Sequence, residues 1–493
     1  MSNFMRKKPL NKLISAINGE VSFDPGISEI SRIVTYSGAI EPGDIFVAIE
    51  GLHFDGHDFT REAIKKGAAA VVVSRPTGAE REILVSNTSE ALAIMARELF
   101  EKPDDSLIVV GITGTNGKST TTYIVSKIAE ANGKNFGVIG TLGYSIGDKH
   151  YALGYTTPLV TDIYRILAEM SDAGIEGVVM EVTSHGIVQR RCTSINYDIL
   201  SFTCLSQDHL DIHGSMEEYF ATKASIFESA DPSVTNVINI DDPYGRRLIE
   251  LTPSENIITY GIENDADITA KDLKSTTYNT SFTICTPHGD QSVLLSTPGR
   301  FNVYNALCAA GIAISLGWPL SSIKRGFADF CGIKGRMDKV PGNQPFDIFI
   351  DYSHTPDALK NALSACREMA DGRIIVVFGA GGDRDRDKRP KMGRIASELA
   401  DTIVLTNDNP RSENPSSIID QIENGVLKYA DKYRIEDRKK AIIFALETAE
   451  PGDIVLISGK GHEDYQIIGN QRFTFDDREV ASEWLTQKGF IEG

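Results

Sequence analysis

Close cysteine pairs are missing from this chain of 493 residues. Its six cysteines, at 192, 204, 285, 308, 331 and 366, are scattered, which excludes a disulfide framework and offers no zinc-knuckle spacing. A reducing cytoplasm is the expected compartment. Basic charge is also short: 50 Lys and Arg stand against 68 Asp and Glu, a net charge of −18. Generic nucleic-acid binding is thereby excluded, although a local basic pocket for an anionic substrate is not. No apolar run approaches the roughly 20 residues of a membrane span. The start, through Glu20, carries Arg6, Lys7, Lys8 and Lys12 without the apolar stretch of a secretory signal. Neither an internal repeat nor a low-complexity tract occurs. The length is too great for one core and calls for about three domains of ordinary size.

Against these absences stands one concentrated motif. Gly111-Ile-Thr-Gly-Thr-Asn-Gly-Lys-Ser-Thr120 follows the apolar run 106–110 and opens a helix-patterned segment. Glycines at a strand end let backbone N–H groups crowd an anion, and the following helix points its positive end there. Lys118 adds charge and the Ser119 or Thr120 hydroxyl suits Mg²⁺. A nucleoside triphosphate is the expected ligand, held by Gly114, Thr115, Asn116, Gly117, Lys118, Ser119 and Thr120. Ile112 stands where the strict G-x-x-x-x-G-K-[ST] pattern wants its first glycine.

Apolar runs of strand length alternate with helical patterns throughout. Residues 1–103 read as a small N-terminal α/β domain, with strands at 44–49 and 69–73 and helices at 59–66 and 90–100. Residues 104–335 read as a central P-loop-type domain around a doubly wound, mostly parallel sheet, with further strands at 177–182, 198–203 and 234–239. Residues 336–493 read as a Rossmann-like C-terminal α/β domain, with strands at 346–352, 373–379, 402–407 and 453–458 and helices at 356–369 and 416–429.

Ligands of open parallel sheets collect beyond the carboxyl ends of the strands. The polar residues there are Glu181, Thr183, Ser184 and His185, then Gln207-Asp-His-Leu-Asp-Ile-His213. Carboxylate, imidazole and the Ser119 hydroxyl suit a Mg²⁺ shell completed by phosphate oxygens and water, with Glu181 and His209 the ligand candidates. Singly, each is equally a capping carboxylate or a polar turn.

Gly-Thr-Asn-Gly-Lys-Ser119, Met180-Glu-Val-Thr-Ser-His185 and Gly299-Arg-Phe-Asn-Val-Tyr-Asn-Ala306 together resemble the Mur ligase family, ATP-dependent amide ligases of peptidoglycan precursor synthesis. The likeness continues through Gly335-Arg-Met-Asp338, Asp351-Tyr-Ser-His-Thr-Pro-Asp357, 381–390, Asp408-Asn-Pro-Arg411 and Gly459-Lys-Gly-His-Glu-Asp464. It covers essentially the whole chain. It implies a cytoplasmic monomer serving cell-wall growth, cell shape and division, with ATP and Mg²⁺ and no membrane span. The implied reaction activates a carboxylate as an acyl phosphate at the expense of ATP and passes it to an amine. Lys118, Glu181, His209 and Lys223 are the implied catalytic set. Lys223 aligns with the lysine the family carbamylates (N6-carboxylysine); its helical pattern alone, 219–227, fits a solvated lysine equally well.

The resemblance further implies Asn302, Asn305, Arg336 and Asp351 around the nucleotide, contributed by two domains that must close; helix caps and a surface Arg–Asp pair are the bland alternative. A UDP-sugar peptide is expected across the first two domains at Ser37, His53, Thr156, Thr157, Thr183, Gln189 and Arg191. Tyr36-Ser-Gly38 departs there from the family's usual Asp-Ser-Arg, and Thr156 and Thr157 are equally a polar turn before Pro158. Within the family, the Arg form of Asp408-Asn409-Pro410-Arg411 marks meso-diaminopimelate enzymes. Arg411 offers a planar fork to a distal carboxylate and Arg384 a second cation, while Gly459 and Glu463 match positions that hold the far-end amine. The reading competes with folylpolyglutamate synthetases, which share the phosphate loop and metal set, with a P-loop phosphotransferase or ATPase, and with a non-catalytic relative.

Overall fold

The computed structural model describes residues 4–26, 28–51 and 54–491. Its centre is an eight-stranded sheet in the order Lys149–Tyr151, Gly143–Ile146, Phe136–Gly140, Gly177–Glu181, Ile108–Thr113, Ile199–Phe202, Thr235–Asn239, Ile257–Tyr260. The last six strands run parallel, and only Gly143–Ile146 runs against the rest, paired antiparallel with both its neighbours. Helices cover both faces, which is why Val109, Val110 and Ile112 are all fully buried and the strand reads as an unbroken apolar run. Strand Ile108–Thr113 lies between Gly177–Glu181 and Ile199–Phe202. Its carboxyl end is thus the switch point of the sheet, flanked by the ends of both neighbours.

A five-stranded sheet precedes it, in the order Glu20–Val21, Glu82–Leu84, Ala70–Val73, Ile45–Val47, Ile33–Val34, with the last four strands parallel. A six-stranded sheet follows, in the order Asp338–Lys339, Asp347–Asp351, Ile454–Ser458, Ile374–Phe378, Thr402–Leu405, Asp431–Arg434, parallel except for the first strand. The chain is therefore mixed α/β with mostly parallel sheets in three units. No helix of the described residues is long and apolar enough to cross a membrane.

Two features differ from expectation. The segment 269–295 forms a three-stranded antiparallel sheet that the sequence does not announce, because only Thr280, Phe282 and Ile284 of its middle strand alternate as buried residues among Thr and Ser. The helix expected over 416–429 spans only Pro415–Glu423. At Gly425 the backbone passes so close to the Pro390 carbonyl that a Cβ would lie 1.8 Å from its oxygen, a packing demand no local pattern displays.

Candidate active site

The loop at the switch point is shaped by two glycines with left-handed φ, +145° at Gly114 and +87° at Gly117. Neither tolerates a side chain: a Cβ would meet Thr203 Oγ1 at 1.9 Å and Asn305 Oδ1 at 2.3 Å, respectively. The neighbouring strand end clamps the loop, with Thr115 N donating to Cys204 O at 2.7 Å and Thr203 Oγ1 to Asn116 O at 2.6 Å. Helix Lys118–Ala131 starts there, and its first-turn N–H groups have no intrahelical partner. Lys118 folds back to donate to Gly114 O and Thr115 O, each at 2.9 Å. Burial lowers its pKa, and the Glu181 charge opposes that shift. Loop, orphaned donors and lysine form a cradle suited to a polyphosphate.

Beside the cradle, Ser119 Oγ donates to Glu181 Oε1 at 2.9 Å. Glu181 is almost fully buried and also accepts Thr141 N at 2.8 Å and Thr141 Oγ1 at 3.1 Å. Thr141 escapes a sequence reading because it follows the edge of a glycine-ended strand with no motif around it. His209 has φ +54°, and its Nε2 lies 3.3 Å from Asp208. Its ring meets that of His185 edge-on, with centroids 4.7 Å apart. Burial holds His209 down at about 3 and also lowers His185, so both imidazoles are neutral at pH 7, with a lone pair free for a metal. Among the described residues no three His, Cys, Asp or Glu side chains already converge on one point. A Mg²⁺ here would therefore rely on Glu181, His209 and Ser119 together with substrate and water oxygens.

Lys223, on helix Met216–Glu228, is not the solvated lysine its pattern permits: it is 1% exposed and donates to Gly114 O at 3.0 Å. Burial, seconded by the charge of Lys118, drives its pKa well below the usual lysine range. The amine that sits against the phosphate loop is thus biased toward its neutral form. Asn302 and Asn305 are likewise buried rather than exposed caps. Asn305 Nδ2 donates to Asn302 Oδ1 at 3.1 Å, and Asn302 Nδ2 to Pro298 O at 2.7 Å.

The third unit reaches the same edge. Asn116 Nδ2 of the loop donates to Asp357 at 3.2 Å, and Gln207 Nε2 to Asp385 at 3.1 Å. Asp208 faces His354 Nε2 at 3.9 Å and Lys388 Nζ at 4.0 Å. Burial opposes ionisation of Asp208, but the neighbouring His209, His354 and Lys388 outweigh it and lower its pKa. Asp351 is buried and accepts from Met337 N at 2.7 Å and from Ser353 Oγ. Arg336 stacks on the Tyr352 ring, 4.7 Å from its centroid. Asp357, Asp385 and Lys388 were not singled out from sequence, since carboxylates and lysines among the many of this chain acquire meaning only across the junction.

A second cluster borders Glu181. Thr157 Oγ1 donates to the Glu181 carbonyl at 2.9 Å and lies 2.9 Å from Thr183 Oγ1. Thr156 Oγ1 lies 3.2 Å from Thr141 Oγ1. Arg191 donates to Thr157 O at 2.8 Å and to Gln189 Oε1, and its guanidinium stacks over the Tyr155 ring. In the first unit, Ser37 O accepts from Lys66 Nζ at 2.8 Å, and Tyr36 is 72% exposed. A Cβ on Gly38 would lie 2.5 Å from that tyrosine ring, so in this side-chain position the two departures from the family pattern lie against each other. His53 lies outside the described residues.

The remaining candidates converge at the carboxyl end of the third sheet. Arg411, at φ +51°, donates to Gly382 O at 2.7 Å. Arg384 donates to Asp383 O at 2.9 Å, and its charge is felt at His185 across the junction. Asn409 Nδ2 donates to Glu463 at 2.8 Å. A Cβ on Gly459, at φ +117°, would meet Asp408 Oδ2 at 2.6 Å, so this glycine lets the two loops touch. Pro410 continues the turn between Asn409 and Arg411.

Residues 29–99 of the chain match the family description "Mur ligase family, catalytic domain", residues 112–313 the Mur ligase middle domain and residues 335–461 the Mur ligase glutamate ligase domain. A protein of Bacillus licheniformis is 42% identical over 483 residues, 96% of this chain and 98% of its own. One of Geobacillus kaustophilus is 41% identical over 486 residues, 97% and 99% of the two chains. Both are named UDP-N-acetylmuramoyl-L-alanyl-D-glutamate--2,6-diaminopimelate ligase. A solved structure of a protein with that name superposes with a TM-score of 0.71 at 29% identity, over 97% of this chain and 99% of that one.

Proposed function

With relatives this similar over their full length, the chain belongs to the Mur ligase family, and on that premise we propose that it joins the γ-carboxylate of D-glutamate in UDP-MurNAc-L-Ala-D-Glu to an amine of meso-diaminopimelate, converting ATP to ADP and phosphate. The observation that supports this most is the junction at one sheet edge. Asn116 of the phosphate loop bonds Asp357, and Gln207 bonds Asp385, so the nucleotide cradle adjoins the arginine-bearing pocket of the third sheet.

In this reading residues 1–103 take the UDP-sugar, 104–335 the ATP, and 336–493 the amino acid. The substrate carboxylate attacks the γ-phosphorus, the bond to the β-bridging oxygen breaks, and ADP leaves an acyl phosphate. The amine then attacks the acyl carbon, the C–O bond to phosphate breaks, and the amine surrenders a proton. Gly114 to Thr120 hold the phosphates, and Lys118 neutralises charge on the transferring group. Asn302, Asn305, Arg336 and Asp351 enclose the nucleoside, and closure of the third unit excludes water from the acyl phosphate. Ser119, Glu181 and His209 would hold Mg²⁺, whose chemistry is charge neutralisation at the phosphates. Burial biases the Lys223 amine toward its neutral form, which is suited to adding CO₂: its nitrogen bonds the carbon as one C=O π bond opens, a proton departs, and an anionic carbamate results.

Thr156, Thr157, Thr183, Gln189, Arg191, Ser37 and His53 are assigned to the UDP-sugar peptide. Arg384, Asp408 to Arg411, Gly459 and Glu463 are assigned to diaminopimelate. Two arginines favour its distal carboxylate and oppose the lone ammonium of lysine. The enzyme is taken to act as a cytoplasmic monomer. A mass-resolved turnover assay with ATP, Mg²⁺ and UDP-MurNAc-L-Ala-D-Glu, offering meso-diaminopimelate or L-lysine, tests the reading: product with diaminopimelate alone is expected. Product with lysine alone would overturn the specificity, and product with neither would overturn the reaction.

A further inference from the structure

Motif residue Lys460 has no part in the account above, yet it is fully buried beside the proposed amino-acid pocket. Its Nζ donates to Glu463 Oε2 at 3.0 Å and to Asn409 Oδ1 at 3.3 Å. Asn409 Nδ2 donates to the same Glu463 oxygen at 2.8 Å, and Asn409 Oδ1 also accepts Ile467 N at 2.9 Å. One carboxylate oxygen of Glu463 is thus gripped by two donors. The other, Oε1, has among the described residues only the Tyr465 hydroxyl at 3.5 Å and keeps lone pairs for a ligand. A buried ammonium in this position has two consequences. It fixes the carboxylate in one orientation, and it adds positive charge where water cannot screen it.

Resting on the proposed reaction, we infer that Lys460 is a specificity-determining positioning residue, which turns Glu463 Oε1 toward the far-end ammonium of the amino acid and adds a buried positive charge beside the pocket. The cations Arg384, Arg411 and Lys460 face the carboxylates Asp408 and Glu463 there, with Asp383 beside Arg411 and Arg438 acting on Asp408. Such a pocket accepts a far end bearing both carboxylate and ammonium and disfavours one bearing ammonium alone. Lys460 also helps keep the buried Asp408 ionised: burial opposes that, and the charges of Lys460 and Arg438 outweigh it.

The test uses the full chain with Lys460→Met and Lys460→Gln, the second retaining an N–H donor so that one variant keeps the wild-type melting temperature. The readouts are KM for meso-diaminopimelate, the inhibition constant of L-lysine, KM for ATP and kcat. Both substitutions remove the charge. The expected result is that the preference for diaminopimelate over lysine falls at least tenfold, through KM and the inhibition constant, while KM for ATP is unchanged. Combined with Glu463→Gln, Lys460→Met should add no further loss, because it acts through that carboxylate. An unchanged preference in a stably folded variant, an equal rise in KM for ATP, or additive losses would each overturn the inference. Failure of the wild-type enzyme to use diaminopimelate would instead overturn the reaction on which it rests.

Discussion

Replacing Gly140 by alanine should displace, by direct contact, the Glu181 carboxylate proposed to hold Mg²⁺. Gly140 ends strand Phe136–Gly140, and its backbone is one an alanine can adopt, so the fold should survive. The added Cβ, however, would lie 2.2 Å from Glu181 Oε1, 2.9 Å from its Cδ and 3.0 Å from its Cγ. Ordinary contact begins at 3.4 Å, so the carboxylate has to retreat by about 1.2 Å, a displacement of the size that costs about 100-fold in rate. That retreat breaks the bonds to Ser119 Oγ at 2.9 Å and Thr141 N at 2.8 Å. If Glu181 holds metal as proposed, its misplacement should lower kcat about 100-fold, or ~2.7 kcal/mol of transition-state stabilisation. The assay is coupled ADP release at saturating substrates over a Mg²⁺ titration, with ATP affinity and thermal melting measured on the same preparation. Low kcat, a raised Mg²⁺ requirement, near-native ATP affinity and near-native melting are expected together. A kcat within threefold of wild type in a folded Gly140→Ala protein would refute the role given to Glu181.

Two further outcomes follow. Arg438→Ala should lower stability by about 3–5 kcal/mol in urea unfolding, because its guanidinium and Asp477, both fully buried, are joined by hydrogen bonds of 2.7 and 2.6 Å; Arg438→Met with Asp477→Leu should recover much of the loss. The Lys223 carbamate should appear as a ¹³C signal in protein equilibrated with ¹³CO₂ and vanish in Lys223→Ala. Because burial depresses this amine's pKa, the neutral form persists above that lowered value, and the signal should survive to lower pH than on an ordinary lysine before disappearing as acid protonates the amine.

The strands at 108–113, 177–181 and 374–378 are legible because parallel strands covered on both faces must be apolar throughout, whereas the equally buried parallel strand Phe136–Gly140, which holds two glycines, is not among those the sequence announces. Helix Pro356–Met369 was legible from its proline start and helical spacing. The antiparallel sheet at 269–295 was not, since one solvated face leaves only a few alternating buried residues among polar ones. Lys223 marks the limit of local reasoning: its neighbours in sequence are those of a surface helix, and only tertiary packing against Gly114 buries its amine.

By itself, the sequence determined the phosphate loop, the strand–loop–helix order around it and the polar residues at the strand ends. Those depend on backbone conformation and on residues adjacent in the chain: Gly114 and Gly117 for positive φ, Lys118 and Ser119 for the helix start. Only the tertiary structure decided which groups lose their water and which charges face one another. Glu181 against Ser119, Asp208 against His354 and Lys388, and Lys460 against Asn409 are meetings made by strand order and by contact between the central and third units. Protonation state and charge balance follow from desolvation and distance, and neither quantity exists until the chain is folded.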